Sequence, residues 1–300
     1  MKLSVSIITY NHQDYIEEAI VSVLNQQTDF DFEILVSDDC STDNTLAVIE
    51  KLAKESNKIK VLYREKNVGM VHNAINTISC CKGEYIALLE GDDFWVDELK
   101  LQKQVDFLDQ NKDIAFCITN GYYVRNGINV GLYYTESNTL PSIFTLDYMI
   151  KNNVFIHCNS KMFRKSVQPE IFPESIYKAS SWDWALSLMQ AEKGNIAYLD
   201  FVSLAYRRHE NAQINRKYLK ENLIHGLALL NDINAHFNLK YNKMLGKRYW
   251  HYQELAFIYL EEKEYKIFLL YLIKSFFNKP LRSLNELKDL GWSIKKRLTM

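Results

Sequence analysis

Residues 83–95 read GEYIALLEGDDFW, an apolar run that ends in three carboxylates within four positions. The apolar part, residues 85–89, is continuous enough to predict a central strand that is covered on both faces. The acids that follow, Glu90, Asp92 and Asp93, have two interpretations. They form a solvated turn that closes the strand, or they hold a divalent cation such as Mg²⁺ or Mn²⁺, which prefers oxygen ligands. The rest of the chain decides between the two.

The composition is that of an ordinary globular chain with one large domain or two small ones. It has 300 residues, of which 47% are hydrophobic, so a sizeable core is expected. A net charge of -1 provides no global field that would attract nucleic acid or an anionic membrane, and no nucleic acid partner is expected. Five cysteines without a CxxC pair predict neither a disulfide framework nor a zinc site and fit a reducing cytoplasm. No apolar run approaches the roughly 20 residues that a membrane-spanning helix needs.

Short β-rich runs alternate with helical patterns through the first half of the chain, which is typical of an α/β domain with a mostly parallel sheet. Strands are predicted at residues 3–9, 32–36, 59–63 and 85–89, and later at 114–119, 154–163 and 196–206. A helix is predicted at residues 97–110, and residues 121–142 look like an irregular excursion. From about residue 215 the pattern predicts long helices. We therefore expect a catalytic domain over residues 1–212 and a C-terminal helical region over residues 213–300.

Polar clusters follow three of the predicted strands at their carboxyl ends. They are Thr9, Tyr10 and Asn11 after the first strand, Ser37, Asp38 and Asp39 after the second, and Glu90, Gly91, Asp92 and Asp93 after the central strand. Because ligands bind outside the carboxyl ends of strands in open α/β sheets, the fold should gather these clusters on one rim. Independent turns have no reason to be acidic together there, which favours the cation interpretation.

The second cluster also indicates a nucleotide. Asp38 or Asp39 can accept hydrogen bonds from a base or a ribose, and the Tyr10 ring offers an aromatic surface beside them. The alternative is a capped helix start, which accounts for Ser41 and Asp43 but leaves the two preceding acids unexplained. Both interpretations stay open.

Four segments resemble, in order and in separation, the successive motifs of family 2 glycosyltransferases with the GT-A fold. They are SVSIITYNHQDYIEEAIVSVLNQ, FEILVSDDCSTDNT, REKNVGMVHNAIN and GEYIALLEGDDFW. The resemblance covers roughly the first 210 residues and is specific, because four ordered motifs match rather than one. It implies a Rossmann-like, nucleotide-sugar-binding sheet flanked by helices, a UDP-sugar as the first candidate for the donor, and Mn²⁺ or Mg²⁺ held by an acidic triplet.

The acidic triplet departs from the family's usual Asp-x-Asp by placing Glu90 first. In an extended segment residues two apart face the same side, so Glu90 and Asp92 can act together while Gly91 lets a diphosphate approach the backbone. Asp92 is the first choice for the metal ligand, with Glu90 nearer the ribose or an outer-shell water. The assignment between these two carboxylates stays open.

The resemblance implies further site residues downstream. Asp183, in SSWDWALSLMQAEKG, matches the family's catalytic Asp, which takes the proton of the acceptor hydroxyl during attack on the anomeric carbon. The alternative is a purely structural role for Asp183, because the helix dipole favours an acid in the first turn of a helix. His209 and Arg207, in AYRRHENA, match groups that reach the metal or the diphosphate, and otherwise belong to the solvated surface.

The middle motif, REKNVGMVHNAIN, implies a set of residues that shape the floor of the donor pocket. They are Lys66, Asn67, Gly69 and Asn73. The remaining histidines of interest, His12, His72 and His157, are assigned structural roles.

The tail, residues 263–300, contains nine Lys or Arg and three acids, with aromatic residues and leucines between them. A basic amphipathic helix can lie on an anionic leaflet, where a lipid-linked glycan acceptor would also be found. The alternative, which the sequence favours, is a helical cap with a solvated face. The expected location is the cytoplasm, with the inner face of the plasma membrane as the alternative, and a homodimer stays open.

Together with these patterns, the family resemblance implies a metal-dependent, inverting glycosyltransferase with its donor and metal site in residues 1–120 and its acceptor region in residues 121–212. It would move a hexosyl or N-acetylhexosaminyl group to a hydroxyl, in the synthesis of a bacterial surface polysaccharide such as capsule or lipopolysaccharide. One alternative is a sugar nucleotidyltransferase, which is weakened because TYNHQ replaces a glycine-rich loop after the first strand. The other is a catalytically silent scaffold that binds nucleotide sugars.

Overall fold

The computed structural model describes residues 1–135, 139–208, 219–241, 248–278 and 284–298. The described residues fall into two compact units, Met1–Ile171 with Leu186–Ala212, and Phe172–Ala185 with Gln213–Met300. The functional division of the chain at residue 212 stays a prediction.

The first unit is built on one mixed sheet that has ten strands in the described residues. In chain order these are β1 (Leu3–Thr9), β2 (Phe32–Asp38), β3 (Ile59–Leu62), β4 (Tyr85–Glu90), β5 (Phe94–Trp95), β6 (Ile114–Arg125), β7 (Ile128–Leu132), β8 (Ile143–Phe144), β9 (Met162–Arg164) and β10 (Asn195–Arg207). Their order across the sheet is β3-β2-β1-β4-β9-β6-β10-β5, with β7 paired to β6 and β8 paired to β10.

The sheet contains two blocks of parallel strands. β3, β2, β1 and β4 form one parallel block, and β6 and β10 form another. The remaining strands β5, β7, β8 and β9, each of five residues or fewer, add antiparallel pairs. In β1, β2 and β4 nearly every residue is buried, as expected for parallel strands with helices on both faces. The predicted α/β fold with a helix-flanked central sheet is confirmed.

Six α-helices lie in the described residues before residue 192. They are α1 (Ile16–Leu24), α2 (Thr45–Glu55), α3 (Met70–Cys80), α4 (Lys100–Gln110), α5 (Leu146–Asn152) and α6 (Trp182–Ala191). In α1 the buried residues Ile16, Ala19, Ile20 and Val23 recur every three or four positions, so one face packs into the core of the sheet. α6 begins in the second unit and ends in the first.

The second unit is helical, as predicted for the C-terminal region. Its long helices are α7 (Leu219–His236), α8 (Arg248–Glu261), α9 (Tyr265–Asn278) and α10 (Leu284–Leu298). A small core joins the last three of them, with Phe257 and Leu260 from α8, Phe268 from α9 and Leu290 from α10. Throughout the described parts of the chain, every helix is too short or too polar to cross a membrane.

The prediction of an irregular excursion over residues 121–142 was wrong at its start. β6 continues to Arg125 and turns back into β7, with which it pairs antiparallel. The turn is Asn126-Gly127, and both residues have positive φ, 50° and 75°. Asn-Gly is the pair that a two-residue hairpin turn of this geometry favours, so a local signal for the hairpin was present in the sequence.

The predicted strand over residues 154–163 was also wrong for most of its length. Only Met162–Arg164 is a strand, and it is preceded by a 3₁₀ turn at Cys158–Ser160. The apolar residues that suggested a strand, Val154 and Ile156, are buried without joining the sheet. Burial alone therefore produced the apolar pattern.

A fully buried lysine lies at the start of α4. Lys100 Nζ donates to Gln104 Oε1 at 2.5 Å and lies 4.4 Å from the centre of the Trp95 ring. Burial lowers the pKa of Lys100 to about 7, because the charged form loses its hydration. At neutral pH the folded protein therefore holds a large neutral fraction of this amine, whereas an exposed lysine stays protonated.

Lys100 should make the stability of the protein depend on pH in the alkaline range. Between about pH 7 and the ordinary lysine pKa of 10.5, the unfolded chain binds a proton that the folded chain does not. Stability therefore rises with pH, by up to about 1.4 kcal/mol per pH unit from this group. Lys100→Met removes this pH-dependent contribution, so the stability of the variant relative to wild type should fall as pH rises across that range in urea unfolding. Parallel stability curves for the two proteins would show that Lys100 is charged in the fold.

Candidate active site

The register of the parallel strands places the three polar clusters side by side. Thr9 at the end of β1 is in register with Asp38 at the end of β2, and the residue before Thr9 is in register with Glu90 at the end of β4. Beyond the strands, the amides of Asp39 and Gly91 donate to β1 carbonyls, each at 2.9 Å. The rim expected from the sequence is therefore present at this edge of the sheet.

Glu90, Asp92 and Asp93 form a cluster of carboxylates on this rim. One oxygen of each lies within 4.8 Å of the others. Glu90 and Asp92 are half-buried, and Asp93 is fully buried. Oxygen atoms of carboxylates at this spacing suit a hard divalent cation such as Mg²⁺ or Mn²⁺. The residues present therefore fit the group that the family resemblance implies.

Asp93 is held in place from two directions. The Asn159 side-chain amide donates to Oδ2 of Asp93, and the Arg207 backbone amide donates to Oδ1 at 2.7 Å. Burial raises the pKa of Asp93, and the negative charges of Asp92 and Glu90 raise it further. Because both Asp93 oxygens accept protein hydrogen bonds, Glu90 and Asp92 are the carboxylates better placed to reach a cation.

Asn159 is a site residue that the sequence analysis missed. Its side-chain oxygen accepts from the Glu90 amide at 2.8 Å, and its side-chain nitrogen reaches Asp93 as well as Oε2 of Glu90 at 3.5 Å. Its own carbonyl accepts from the Trp95 indole at 3.2 Å. Asn159 lies in the 3₁₀ turn before β9, 66 residues from Asp93 in sequence. No local pattern identifies a contact over that separation.

Arg207, at the end of β10, lies beside the carboxylates but contacts other protein groups. Its Nη1 donates to the Asp92 carbonyl at 2.6 Å, and its Nη2 pairs with the Glu18 carboxylate. The guanidinium lies 4.3 Å from the centre of the Phe94 ring. These contacts fix the acidic loop, residues 90–93. The expected contact between Arg207 and a diphosphate stays a prediction. His209, the other residue proposed from this motif, lies outside the described residues.

His12 also lies next to the carboxylates. Its Nε2 is 3.8 Å from Oδ2 of Asp92, and its Nδ1 is 3.1 Å from the Thr9 hydroxyl. Its backbone amide donates to the Thr45 hydroxyl at 2.8 Å. His12, to which the sequence assigned a structural role, therefore lies beside Asp92, the first choice for the metal ligand.

Gly91 has a packing reason to be glycine. A Cβ built at this position would lie 2.6 Å from the Thr9 hydroxyl oxygen and 2.7 Å from the Thr9 Cβ. The space on that side of the backbone is therefore filled by Thr9. The approach of a diphosphate to the other side of this backbone stays a prediction.

Asp38 and Asp39 are both buried and accept hydrogen bonds from the protein. Asp38 accepts from the Ser41 amide at 2.9 Å and from its hydroxyl. Asp39 accepts from the amides of Val68 and Gly69, each at 2.8 Å, and so ties β2 to the loop of the middle motif. A carboxylate has about four acceptor positions, so a further bond to a base or ribose stays a prediction for both.

The predicted cap at Ser41 was wrong, because α2 begins at Thr45, with Asn44 before it. The Ser41 hydroxyl instead accepts from the Asn11 amide at 2.8 Å while it donates to Asp38. Asp43 is the residue that supports the helix start, and it accepts from the Thr45 amide at 3.0 Å.

Other residues assigned to the nucleotide lie on the same rim. The Tyr10 ring is exposed, as a stacking surface requires. Asn11 has a positive φ of 56°, and its side-chain oxygen accepts from the Thr42 amide at 2.8 Å. The Asn67 side chain accepts from the Gly69 amide at 3.1 Å. Their contacts with a ligand stay predictions.

Asn73 lies buried beneath this rim, next to a second residue that the sequence analysis missed. It exchanges hydrogen bonds with Ser37, at 2.6 and 3.0 Å. Arg64 Nε donates to Asn73 at 3.1 Å and to Ser37 at 3.2 Å, and its Nη2 is buried without a hydrogen-bond partner in the described parts of the chain. Such a nitrogen is costly to leave unsatisfied and indicates a ligand. Arg64 begins the motif REKNVG, so the sequence did contain a signal.

Asp183 lies in the first turn of α6, within the second unit. Its Oδ1 accepts from the Trp184 amide at 2.8 Å, which agrees with the structural alternative of an acid at a helix start. The neighbouring Trp182 and Trp184 are both buried. The catalytic role of Asp183 stays a prediction.

Comparison with known sequences gives a consistent result. The sequence model of the family described as Glycosyl transferase family 2 matches residues 4–172. The chain is 33% identical over 213 residues to the putative teichuronic acid biosynthesis glycosyltransferase TuaG of Bacillus subtilis, covering 70% of this chain and 81% of that one. It is 33% identical over 234 residues to an uncharacterised protein of Mycobacterium tuberculosis, covering 75% of this chain. That alignment spans 66% of the mycobacterial protein, slightly less than two thirds of its length.

Solved structures show the same fold. Staphylococcus aureus TarS 1–349 in complex with UDP-GlcNAc matches with a TM-score of 0.68 at 20% identity, covering 100% of this chain and 89% of that one. The mannosyltransferase PcManGT of Pyrobaculum calidifontis, in complex with GDP-Man and Mn²⁺, matches with a TM-score of 0.56 at 12% identity, covering 100% and 83%. At these identities the likeness concerns the fold alone.

Asn159→Ala should weaken the binding of Mn²⁺ by about tenfold or more, because groups that orient metal ligands usually contribute that much. The variant loses the hydrogen bonds that position Glu90 and Asp93. Titration calorimetry with Mn²⁺ alone measures the effect. Asn152→Ala is the matched control, since that exposed asparagine bonds only a local helix carbonyl among the contacts described for it. Equal Mn²⁺ affinity in both variants would show that Asn159 does not support a cation site.

Proposed function

The chain belongs to glycosyl transferase family 2, and we propose that it transfers a sugar from a nucleotide diphosphate to a hydroxyl group with the help of a divalent cation. The observation that carries this proposal is the carboxylate cluster on the rim of the parallel sheet. It brings cation ligands to the edge where an α/β sheet binds its ligands, next to Asp38 and Asp39.

A UDP-sugar is the first candidate for the donor. TarS, which shares the fold, was solved with UDP-GlcNAc. In this chain the buried Nη2 of Arg64 can donate to a carbonyl oxygen of a pyrimidine base, and Asp39 can accept from a base or a ribose. Hydrogen-bond donors and acceptors fixed in this way are the usual source of selectivity for one base. The identity of the sugar, a hexose or an N-acetylhexosamine, is part of the proposal.

Glu90 and Asp92 would hold Mn²⁺ or Mg²⁺, with His209 as a further ligand implied by the resemblance. The cation, when bound, compensates the charge that develops on the departing diphosphate. Asp93 is engaged by Asn159 and Arg207, so its part is to keep the loop in position. A cation would also offset the repulsion among three carboxylates that are within 4.8 Å of one another.

The acceptor step is assigned to Asp183. A carboxylate that accepts the proton of the acceptor hydroxyl makes that oxygen a better nucleophile toward the anomeric carbon. Attack opposite to the leaving nucleotide in one displacement inverts the anomeric configuration. The acceptor proposed is a glycan or a lipid-linked glycan of a bacterial surface polysaccharide, by analogy with TuaG, a putative teichuronic acid biosynthesis glycosyltransferase.

Donor hydrolysis tests the proposal against the alternative of a silent scaffold. Wild type with Mn²⁺ and a panel of UDP-, GDP- and TDP-sugars should slowly release the nucleotide diphosphate from one donor class. Asp92→Asn should lower that release by about 100-fold, because the variant loses a charged cation ligand. Asp106→Asn, at an exposed position of α4, is the matched control and should keep the wild-type rate. Donor binding without release in wild type would identify a scaffold, and full release by Asp92→Asn would remove the proposed metal site.

Asp183→Asn should separate donor binding from catalysis. We expect UDP with Mn²⁺ to raise the melting temperature of the variant as much as that of wild type, since a ligand stabilises the folded state that binds it. Release of UDP should fall by a factor of about 100 or more, the usual contribution of a general base. Asp183→Glu should restore part of the rate. Wild-type release by Asp183→Asn would exclude Asp183 as the base.

A further inference from the structure

Helix α9 of the second unit exposes a large apolar face. Its residues Tyr265, Leu269, Leu270, Ile273 and Phe277 are between 49% and 85% exposed. Four of them recur every four positions, so they lie along one side of the helix. An exposed row of large apolar side chains of this length is unusual on a protein surface and indicates that something covers it.

The opposite side of α9 is apolar as well, and the protein covers it. Phe268 is buried in the core shared with α8 and α10, and Tyr271 and Leu272 pack against that core. A helix that is apolar all round is normally covered on every side. Only one side of α9 is covered by the described residues of its own unit.

The charged residues of α9 are all positive. They are Lys266 and Lys274, both exposed, and the helix has no acid. Lys274 Nζ lies 5.1 Å from the centre of the Tyr271 ring, a cation–π contact, and the residue as a whole is exposed. On α10, the exposed Trp292 likewise has exposed lysines at 288 and 295, one turn before and about one turn after it.

We propose that α9 lies on the surface of an anionic lipid bilayer through an apolar-basic face. This face consists of Tyr265, Lys266, Leu269, Leu270, Ile273, Lys274 and Phe277. Aromatic and aliphatic side chains insert at the boundary between headgroups and acyl chains, and lysines at the same surface meet lipid phosphates. This inference concerns where the protein binds and does not depend on its proposed sugar transfer.

The dimensions of α9 fit a helix that lies along a membrane. Its 14 residues span about 21 Å, less than the roughly 30 Å of hydrocarbon that a spanning helix must cross. An in-plane orientation satisfies both the apolar residues and the lysines. The solvated helical cap favoured by the sequence would instead leave five large apolar side chains in water.

Charge distinguishes a lipid surface from a second copy of the chain. In a two-fold symmetric pair the same face meets itself, so the lysines of both copies would enter one apolar interface. The face contains no acid to pair with them, and buried unpaired charges are strongly unfavourable. An anionic bilayer supplies the opposite charge.

Vesicle sedimentation with the full chain tests the proposal. Wild type should sediment with vesicles of phosphatidylcholine containing about one quarter phosphatidylglycerol and much less with pure phosphatidylcholine. The double variant Lys266→Glu/Lys274→Glu should lower the partition coefficient at least about tenfold. Lys54→Glu/Lys193→Glu, at exposed positions of the first unit, changes the net charge equally and should bind as wild type does.

A second variant tests the apolar contribution. Ile273→Ser/Phe277→Ser should sediment less than wild type at low salt and at high salt. Salt itself should weaken only the contribution of the lysines to the binding of wild type. Both positions are exposed, so far-UV circular dichroism should be unchanged. The proposal is wrong if wild type stays in solution with anionic vesicles, or if the two lysine double variants lower the partition coefficient equally. A wild-type dimer that this serine variant converts to monomers would instead identify a second copy as the occupant. These results are independent of UDP release, so the two proposals can fail separately.

Discussion

Three carboxylates held within 4.8 Å of one another are the constraint around which the rim of this protein is organised. Like charges at that spacing repel, and the burial of Asp93 adds the loss of its hydration. The fold tolerates the cluster because hydrogen-bond donors are fixed around it. Asn159 and Arg207 donate to Asp93, and Arg207 adds a positive charge at the Asp92 carbonyl. The remaining negative charge of the site is one that a bound cation would compensate.

The groups that hold this cluster come from separate parts of the first unit. Arg207 is at the end of β10, Asn159 is in the turn before β9, and His12 follows β1. The acidic loop therefore adopts this geometry only when the first and the last strand of the unit, in chain order, have been assembled into one sheet. This dependence makes the site rigid, because displacing the loop would break contacts with several elements at once. Rigidity of that kind is what a site needs if it is to place a cation and a diphosphate reproducibly.

The two units carry different kinds of surface. The first presents polar groups at the strand ends, suited to a small charged ligand, and the second presents the apolar-basic face of α9, suited to an extended anionic surface. The two proposals together describe a transferase that works where lipid-linked glycans are found. Each rests on its own observations, since the rim would bind a nucleotide sugar in solution and α9 would bind lipid without any catalysis.

The order of amino acids was enough to predict the strands β1 to β4, the helices between them and the carboxylates at the strand ends, because apolar spacing reports what each element must bury. It also contained the Asn126-Gly127 hairpin signal and Arg64 within a motif, which were overlooked rather than absent. Packing in three dimensions was needed to show that Asn159 meets Asp93, that Asp39 binds the amides of Val68 and Gly69, and that Thr9 fills the space beside Gly91. It also decided which side of α9 is covered, since a helix that is apolar all round has no pattern to show it. The same cause underlies all of these contacts: local periodicity encodes burial, whereas pairing between distant groups arises only when packing brings them together.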